Sequence, residues 1–301
     1  MDFRFTQDQQ DLIEAAKTVF EGENTVERMR AIAAGEEVSD LWPQYAELGL
    51  LGIMAPEDIG GLAQPLVVMI GIAEAAGYAG LPEPYVEVAG ITVPHANTER
   101  LADLIAGQSR FAMKSSLRPY VDTSLAGGQA VNSIDPLRKI VKSESGNAEN
   151  IDSVNYHGAI LSAAQLIGLS KRMLDMSIDY AKDRQQFGKA IGTFQAIKHQ
   201  LANVHTQIEF TRPMIELAAI KGGAAVHNAK VAAIDTAILA GETAIQVHGG
   251  MGYTFEVDLH LFMKRAWALC GEWGDRNYHM KKLEDYVLSE TAKLGAGHTF
   301  N

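Results

Sequence analysis

Hydrophobic positions in the first third of the chain recur every three or four residues, which is the period of an amphipathic helix. Thr6 and Gln9 have the form of a capping box, in which a hydroxyl and an amide side chain close the first turn of a helix. The same pattern predicts a second helix over residues 40–50, ended by Gly52, and a continuously apolar, buried helix over residues 66–76.

A short helix is predicted over residues 99–105, and beyond residue 107 the pattern changes. Short β-compatible pieces at residues 110–113, 130–134 and 137–141 alternate with Gly, Ser, Asn and Asp. This stretch is long enough for a small sheet but too short for a full sandwich or barrel. We therefore expect a small β segment between two helical parts.

From residue 157 onward the helical period returns and persists. Helices are predicted over residues 157–183, 193–219, 224–247 and 258–288. The second of these carries one narrow apolar seam at alternating steps of three and four, made by Phe194, Ile197, Leu201, Val204 and Ile208. Four successive helices with short connections predict a C-terminal four-helix bundle.

The expected fold is therefore mostly α and has three parts. They are an N-terminal helical domain at residues 1–106, a much reduced β domain at residues 107–155, and the four-helix bundle at residues 156–301. A chain of 301 residues is long enough for such units to share a sizeable core.

Composition restricts the partners and the compartment. The chain has 26 Lys and Arg against 37 Asp and Glu, which gives a formal net charge of −11. A net acidic surface repels nucleic-acid backbones, and no apolar run approaches the length of a membrane span. Cys270 is the single cysteine and the N-terminus lacks a signal-peptide pattern, so we expect a cytoplasmic protein without nucleic-acid or membrane partners.

Two short segments carry groups suited to an anionic ligand. Arg184 and Lys189 form a local pair of cations, and arginine offers paired donors to phosphate oxygens. Residues 246–253 hold three glycines in four positions, which permits positive φ and exposes backbone N–H groups. No predicted strand precedes this turn, so it differs from a dinucleotide-binding fingerprint. Taken alone, each segment favours a simpler interpretation, a charged helix end and a helix-capping turn.

With two further segments, these residues resemble the acyl-CoA dehydrogenase family almost from end to end. Phe5-Thr6-x-x-Gln9 resembles the start of the family's first helix, and residues 50–61 (LLGIMAPEDIGG) resemble its LGI…PEE.GG loop. Arg184-x-Gln186-Phe187-Gly188 followed by Phe194-Gln195-Ala196 matches R.QFG…FQA, and residues 246–253 (QVHGGMGY) match Q..GG.GY. The four segments occur in the family's order with compatible spacing, so the chain is identified as a member.

The resemblance implies FAD as the cofactor and names the residues that contact it. In this family the corresponding residues touch the diphosphate and adenosine part of FAD across a dimer interface, on the flavin held by the neighbouring subunit's β domain. The implied contacts of the first segment are Arg184, Gln186, Phe187, Phe194 and Gln195. Those of the second segment are Gln246, Val247, His248, Gly249 and Gly250.

Departures from the family pattern concern the flavin cradle and the catalytic base. The β domain is reduced and has no counterpart of the flavin-contacting TEP..GSD segment. Trp273 stands where the usual catalytic glutamate lies, and Gly158 stands where other members place the base. α,β-Dehydrogenation needs a carboxylate beside the α-carbon of the thioester, so no catalytic residue is assigned to this chain. Glu272 is one residue away, and Glu256 is interpreted as a structural carboxylate.

This combination resembles the short subunit of heteromeric bacterial acyl-CoA dehydrogenases of steroid side-chain degradation, which look like α2β2 assemblies. The resemblance implies that a longer paralogue supplies the flavin cradle and the base, while this chain completes the FAD site. The substrate would be a steroid acyl-CoA ester, and an electron-transfer flavoprotein or a similar protein would accept the electrons. Two alternatives stay open: a scaffold subunit that binds no FAD, and a self-sufficient homo-oligomer that uses Glu272.

Overall fold

Helices account for most of the chain in a computed structural model, which describes residues 5–142, 151–290, 292 and 295. The prediction of a mostly α fold, with helical N- and C-terminal parts and few strands, is confirmed. The other residues of the three predicted domains lie outside the described ones, and the domain boundaries stay predictions.

From residue 5 onward, the N-terminal part contains five α-helices: α1 (Gln7–Glu23), α2 (Val26–Ala34), α3 (Trp42–Glu47), α4 (Leu66–Tyr78) and α5 (Thr98–Ile105). The capping box of α1 is present, because Gln9 N donates to Thr6 Oγ1 at 3.3 Å and Thr6 N donates to Gln9 Oε1 at 3.1 Å. Most residues of α4 are buried, as a continuously apolar sequence predicts.

The structure departs from the predicted elements around the second helix. α2 lies where no helix is predicted, and the helix predicted over residues 40–50 already ends at Glu47. Gly49, rather than Gly52, stops it, because Gly49 has φ of +71° in the left-handed region that favours glycine. Further along, a π-helix (Val86–Thr92) leads into a short 3₁₀ turn (Val93–His95).

The described part of the reduced β segment contains three short strands: β1 (Tyr120–Asp122), β2 (Gln129–Val131) and β3 (Ile140–Lys142). β3 lies in the middle and is antiparallel to both neighbours, with Val141 opposite Val121 and Ala130. Two of the predicted strands are present with shifted bounds, whereas residues 110–113 form no strand. Three-residue strands offer too little alternation to be located by periodicity.

The C-terminal part contains α6 (Asp152–Asp183), α7 (Gln195–Lys221), α8 (Ala224–His248), α9 (Leu259–Gly271) and α10 (Arg276–Val287). α6 is central, since it packs against α4, α7, α8 and α9. At its crossing with α4 the two backbones come close, and a Cβ added at Gly77 or Gly168 would overlap the opposite helix. None of the described helices is long and apolar enough to cross a membrane.

The last predicted helix, over residues 258–288, is two helices separated by a turn. Trp273 and Gly274 have φ of +60° and +96°, outside the right-handed helical region. Asp275 then caps α10, because its Oδ1 accepts a hydrogen bond from Tyr278 N at 2.8 Å. The turn carries Glu272 and Trp273 into the interior, where they are 6% and 2% exposed.

A buried ionic cluster connects the π-helix, the β segment and this turn. Glu87 Oε1 accepts from Arg138 Nη1 at 2.6 Å and lies 3.4 Å from Arg118 Nη2. Arg118 Nε donates to Glu272 Oε2 at 2.8 Å, and Arg138 Nε lies 3.7 Å from Asp122 Oδ2. All five side chains are buried, so the cluster joins segments that lie far apart in the sequence.

Candidate functional site

A cleft of about 500 Å³ lies between the ends of α6 and α8. After α6 the chain forms a hairpin of β4 (Gln185–Gln186) and β5 (Lys189–Ala190) before entering α7. On the opposite side, α8 ends and a 3₁₀ turn (Gly249–Tyr253) follows. The cleft is lined by Tyr180, Arg184, Gln186, Ile191, Val247, His248, Gly249, Gly250, Met251 and Thr254.

Arg184 is held by its backbone and leaves its guanidinium exposed. Its N donates to Tyr180 O at 2.9 Å, and its carbonyl oxygen accepts from Ile191 N at 2.9 Å, which closes the base of the hairpin. The guanidinium has no ion-pair partner among the described residues, whereas Arg30, Arg212 and Arg276 all pair with carboxylates. An exposed guanidinium without a carboxylate partner suits a phosphate-bearing ligand.

The tip of the hairpin projects an aromatic ring into solvent. Phe187 and Gly188 have φ of +53° and +78°, as expected for the two central residues of a tight hairpin turn. Phe187 is 91% exposed, and its ring meets the edge of Phe194 at a centroid distance of 6.1 Å. Lys189 Nζ lies 4.4 Å from the centroid of the Phe194 ring. The hairpin therefore presents an aromatic pair and a cation beside Arg184.

The glycine turn opens the other wall of the cleft. Gly249 has φ of +59°, and a Cβ added at Gly249 or Gly250 would meet no atom within 4 Å. Both residues are exposed, so the backbone of the turn is accessible to a ligand. The N–H of Gly249 already donates to Gln246 O and Ile245 O, so Gly249 contributes open space beside the cleft rather than a free donor.

His248 forms the floor between these two walls and is 4% exposed. Its Nδ1 donates to Ala244 O at 2.8 Å, and its ring stacks on Tyr180 at a centroid distance of 4.3 Å and an angle of 27°. Burial lowers the pKa of His248, which keeps the imidazole neutral near pH 7. The cleft thus combines a cation, an open glycine turn and a neutral imidazole.

The structure brings six of the ten predicted residues to the cleft: Arg184, Gln186, Val247, His248, Gly249 and Gly250. Phe187, Phe194, Gln195 and Gln246 lie outside its lining, on the hairpin, at the start of α7 and on α8. Their contact with FAD, like that of the other six, stays a prediction. Tyr180, Ile191, Met251 and Thr254 are additional lining residues. Only Tyr180 had a clear signal, because it precedes Arg184 by one helical turn.

The two family positions for a catalytic base lie against each other and hold no carboxylate. A Cβ added at Gly158, on α6, would overlap the Trp273 ring. Trp273 is 2% exposed, so its indole fills the space above Gly158. The absence of a side chain at Gly158 is what allows this packing.

The two glutamates that the sequence offers beside these positions, Glu272 and Glu256, lie in different surroundings. Glu272 is buried and accepts a hydrogen bond from Arg118, which also pairs with Glu87. Glu256 is exposed and follows the glycine turn, far along the chain from Trp273. Within the described part of the chain, no three His, Cys, Asp or Glu side chains are grouped so as to hold a metal ion.

Comparison with protein families identifies the class. The model of the acyl-CoA dehydrogenase N-terminal domain matches residues 6–95, and that of the C-terminal domain matches residues 151–283. The chain belongs to the acyl-CoA dehydrogenase family. The family resemblance expected from the sequence segments is confirmed, and the cleft between α6 and α8 lies within the C-terminal match.

Two of the curated relatives carry the same name and come from different organisms. Acyl-CoA dehydrogenase IpdE2 of Mycobacterium tuberculosis is 28% identical over 267 residues, which cover 79% of this chain and 84% of that protein. Acyl-CoA dehydrogenase IpdE2 of Mycolicibacterium smegmatis is 27% identical over 308 residues, which cover 92% of this chain and 98% of that protein.

Solved structures with the same fold include complexes of two different chains. A chain of the ChsE4–ChsE5 complex from Mycobacterium tuberculosis matches with a TM-score of 0.80 at 19% identity, covering 97% of this chain and 100% of that one. A variant of the Tcur3481–Tcur3483 steroid acyl-CoA dehydrogenase matches with a TM-score of 0.78 at 20% identity, covering 93% and 97%. Butyryl-CoA dehydrogenase from Megasphaera elsdenii matches with a TM-score of 0.79 at 19% identity, covering 96% and 100%.

Proposed function

We propose that this chain is a subunit of a FAD-dependent acyl-CoA dehydrogenase and that it completes the FAD site of a longer partner subunit. The observation that carries the proposal is the pairing of two features in one chain. The cleft at Arg184 and the glycine turn is suited to a diphosphate, while both positions for the base lack a carboxylate. The chain thus retains groups for cofactor binding and lacks the group for proton abstraction.

Arg184 and the open turn of the cleft suit the diphosphate of FAD. Arg184 brings a positive charge that has no ion-pair partner in the described part of the chain, and the open space at Gly249 and Gly250 lets a phosphate approach the opposite wall closely. Bound FAD would supply the acceptor for the hydride that leaves the β-carbon of the acyl group. The residues of this chain would bind and orient the cofactor at its diphosphate, away from the reacting atoms.

The cleft is only part of a binding site, since it is open and lies on the surface. Exposed aromatic side chains surround it: Phe187 is 91% exposed, Tyr253 is 81% exposed and Phe255 is 76% exposed. Large apolar side chains at this exposure, grouped around one site, are typical of a protein–protein interface. We infer that a partner subunit covers them and brings the flavin cradle to the cleft.

The partner must also bring the base. Dehydrogenation removes a proton from the α-carbon while the hydride leaves the β-carbon, and a carboxylate must accept that proton. Trp273 and Gly158 cannot accept it, and Glu272 is held by Arg118 in the interior. This geometry disfavours a self-sufficient homo-oligomer that uses Glu272.

A longer acyl-CoA dehydrogenase paralogue is the partner that we propose, in an α2β2 heterotetramer with one FAD for each pair. Two of the structures that share the fold, ChsE4–ChsE5 and Tcur3481–Tcur3483, each combine two differently named chains. The second is a steroid acyl-CoA dehydrogenase, which supports a steroid acyl-CoA ester as the substrate class. We further propose an electron-transfer flavoprotein or a similar protein as the electron acceptor.

The test compares flavin content in complexes of the chain with its longer paralogue. Arg184→Ala removes the cation of the cleft, and we expect the FAD dissociation constant to rise at least tenfold, which is about 1.4 kcal/mol of binding free energy, so that less flavin is retained after gel filtration. Arg276→Ala is the matched control, because Arg276 forms an exposed ion pair with Asp235 and lies outside the cleft lining. Undiminished flavin in the Arg184→Ala complex would instead support the scaffold that binds no FAD.

A further inference from the structure

A second cavity, which shares no lining residue with the cleft at Arg184, lies where α1 and α4 meet α6 and α7. Its volume is about 590 Å³, which is typical of a small-molecule site. Apolar side chains of α1 and α4, including Ile13, Ile70 and Ala75, form much of its wall. The two helices are in tight contact there, since a Cβ added at Gly71 would lie 2.7 Å from Ile13 Cδ1. Such close packing gives the cavity a fixed apolar wall.

The charged side chains around this apolar wall carry an excess of negative charge, because five carboxylates and three cations line the cavity. Each cation already has a carboxylate partner within the lining: Lys17 with Glu14 at 3.0 Å, Lys171 with Asp175 at 2.6 Å, and Arg212 with Glu74 at 2.7 Å. The other two carboxylates, Glu21 and Glu216, have no ion pair in the described part of the chain. The cavity therefore offers uncompensated negative charge beside an apolar surface.

Glu216, on α7, is the carboxylate whose surroundings point most clearly to a cationic ligand. Its side chain is partly buried and accepts no hydrogen bond from the other described residues. The guanidinium of the neighbouring Arg212 is directed elsewhere, since all three of its nitrogen atoms donate to Glu74 or Glu209. Burial raises the pKa of Glu216, and the charge of Glu74 raises it further, against the opposing effect of Arg212. A bound cation would supply the compensation that the protein does not.

We propose that this cavity binds an organic cation, with an ammonium group on a compact apolar body. The ammonium lies at Glu216 and donates to its carboxylate, while the apolar body packs on Ile13, Ile70 and Ala75. The two unpaired carboxylates disfavour an anion, and a neutral molecule gains only the apolar contacts. The site lies apart from the proposed FAD cleft, so the inference does not depend on the proposed function.

Three rigid probes with the same apolar cage test the effect of charge at constant shape: the ammonium, the alcohol and the carboxylate of adamantane, each substituted at the bridgehead. Isothermal titration of the full chain near neutral pH, in a buffer without amines, measures the dissociation constants. The ammonium should bind roughly tenfold more tightly than the alcohol, because it alone can form a charge-assisted hydrogen bond with a carboxylate. The carboxylate should bind most weakly. Equal affinities for the three probes, or no binding of the ammonium, would overturn the proposal.

Glu216→Gln removes the charge and keeps the shape of the side chain. It should weaken binding of the ammonium probe roughly tenfold and leave binding of the alcohol unchanged. Since Glu216 has no ion pair to lose, the variant should fold as the wild type does. Glu242→Gln is the control, because Glu242 is an exposed carboxylate on α8 outside the cavity lining. Wild-type affinity for the ammonium in Glu216→Gln would overturn the assignment of the site.

The same titration on the complex with the longer paralogue separates a ligand site from a contact between subunits. The ammonium probe should bind the complex as tightly as it binds the chain alone, whether or not flavin is present. Loss of binding in the complex would mean that the partner subunit covers the cavity, and would overturn the proposal. A complex that holds no flavin but binds the probe would instead overturn the proposed function and support this inference.

Discussion

At the scale of single residues, the packing of two side-chain positions determines what fills the region in which the family resemblance places the base. Gly158 and Trp273 stand at the two positions at which the family resemblance places the base, and the structure packs them directly against each other. The Trp273 ring packs so closely on Gly158 that a substitution at only one of the two positions would leave a void or create a clash. The two positions at which the resemblance expects a base are thus filled by interior packing.

Gly158→Ala should destabilise the protein by about 2 kcal/mol, because the added methyl group would overlap the Trp273 ring. In a Trp273→Ala background the same change should cost much less, since the ring is gone. Chemical denaturation of the four proteins measures this coupling. Gly271→Ala is the control, because a Cβ there would meet no atom within 4 Å. Additive effects of the two substitutions would contradict the observed contact.

Glu87 should make stability depend on acid pH. Two arginines, Arg138 and Arg118, lower the pKa of the buried Glu87 carboxyl to about 2 despite the opposing effect of burial. Its folded pKa lies below its unfolded value, so its contribution is fully present above about pH 4.5 and is lost as pH falls toward 2.

Glu87→Gln should therefore cost about 3 kcal/mol at pH 7, because it leaves buried arginines without their carboxylate. The difference in unfolding free energy between Glu87→Gln and the wild type should become smaller as pH falls from about 4.5 toward 2. Urea denaturation of both proteins at several pH values from 7 to 3 measures this difference. A constant difference across the range would show that the charge of Glu87 does not stabilise the fold.

Elements with strong local signals were predictable from the sequence, and those that depend on distant contacts were not. The capping box of α1 and the apolar run of α4 determine their helices locally. The turn between α9 and α10 depends instead on the burial of Trp273 against α6, which no local pattern reveals. The pairing of Glu272 with Arg118 spans 154 residues, so the sequence left Glu272 open as a base.

We expect the β4–β5 hairpin to contribute to association with the partner subunit more than to the stability of the isolated chain. Phe187→Ala should leave the unfolding free energy of the isolated chain within about 0.5 kcal/mol, because the ring is 91% exposed. Association with the partner subunit should weaken by roughly 2 kcal/mol, which is typical of an aromatic hot spot. Leu288→Ala, at a 75% exposed site just after α10, is the control and should change neither quantity. Unchanged association of Phe187→Ala would place the interface elsewhere.

At the scale of the whole molecule, the proposed cofactor cleft and the family's positions for the base lie in different surroundings. Helices of the family fold carry the cleft on the surface, whereas the region of the base is closed by Trp273 and the ionic cluster. The sequence predicts this division, because the segments 184–188 and 246–253 are retained and the glutamate is replaced; FAD binding and the missing base stay predictions. The structure adds that Glu272 is buried and accepts a hydrogen bond from Arg118.

The central claim is that FAD is shared between this chain and a longer subunit, and flavin stoichiometry with native mass tests it most directly. The chain should be colourless when purified alone and should form a yellow α2β2 complex with its longer paralogue, at one FAD for each pair. A yellow homo-oligomer of this chain alone that oxidises an acyl-CoA would contradict the account.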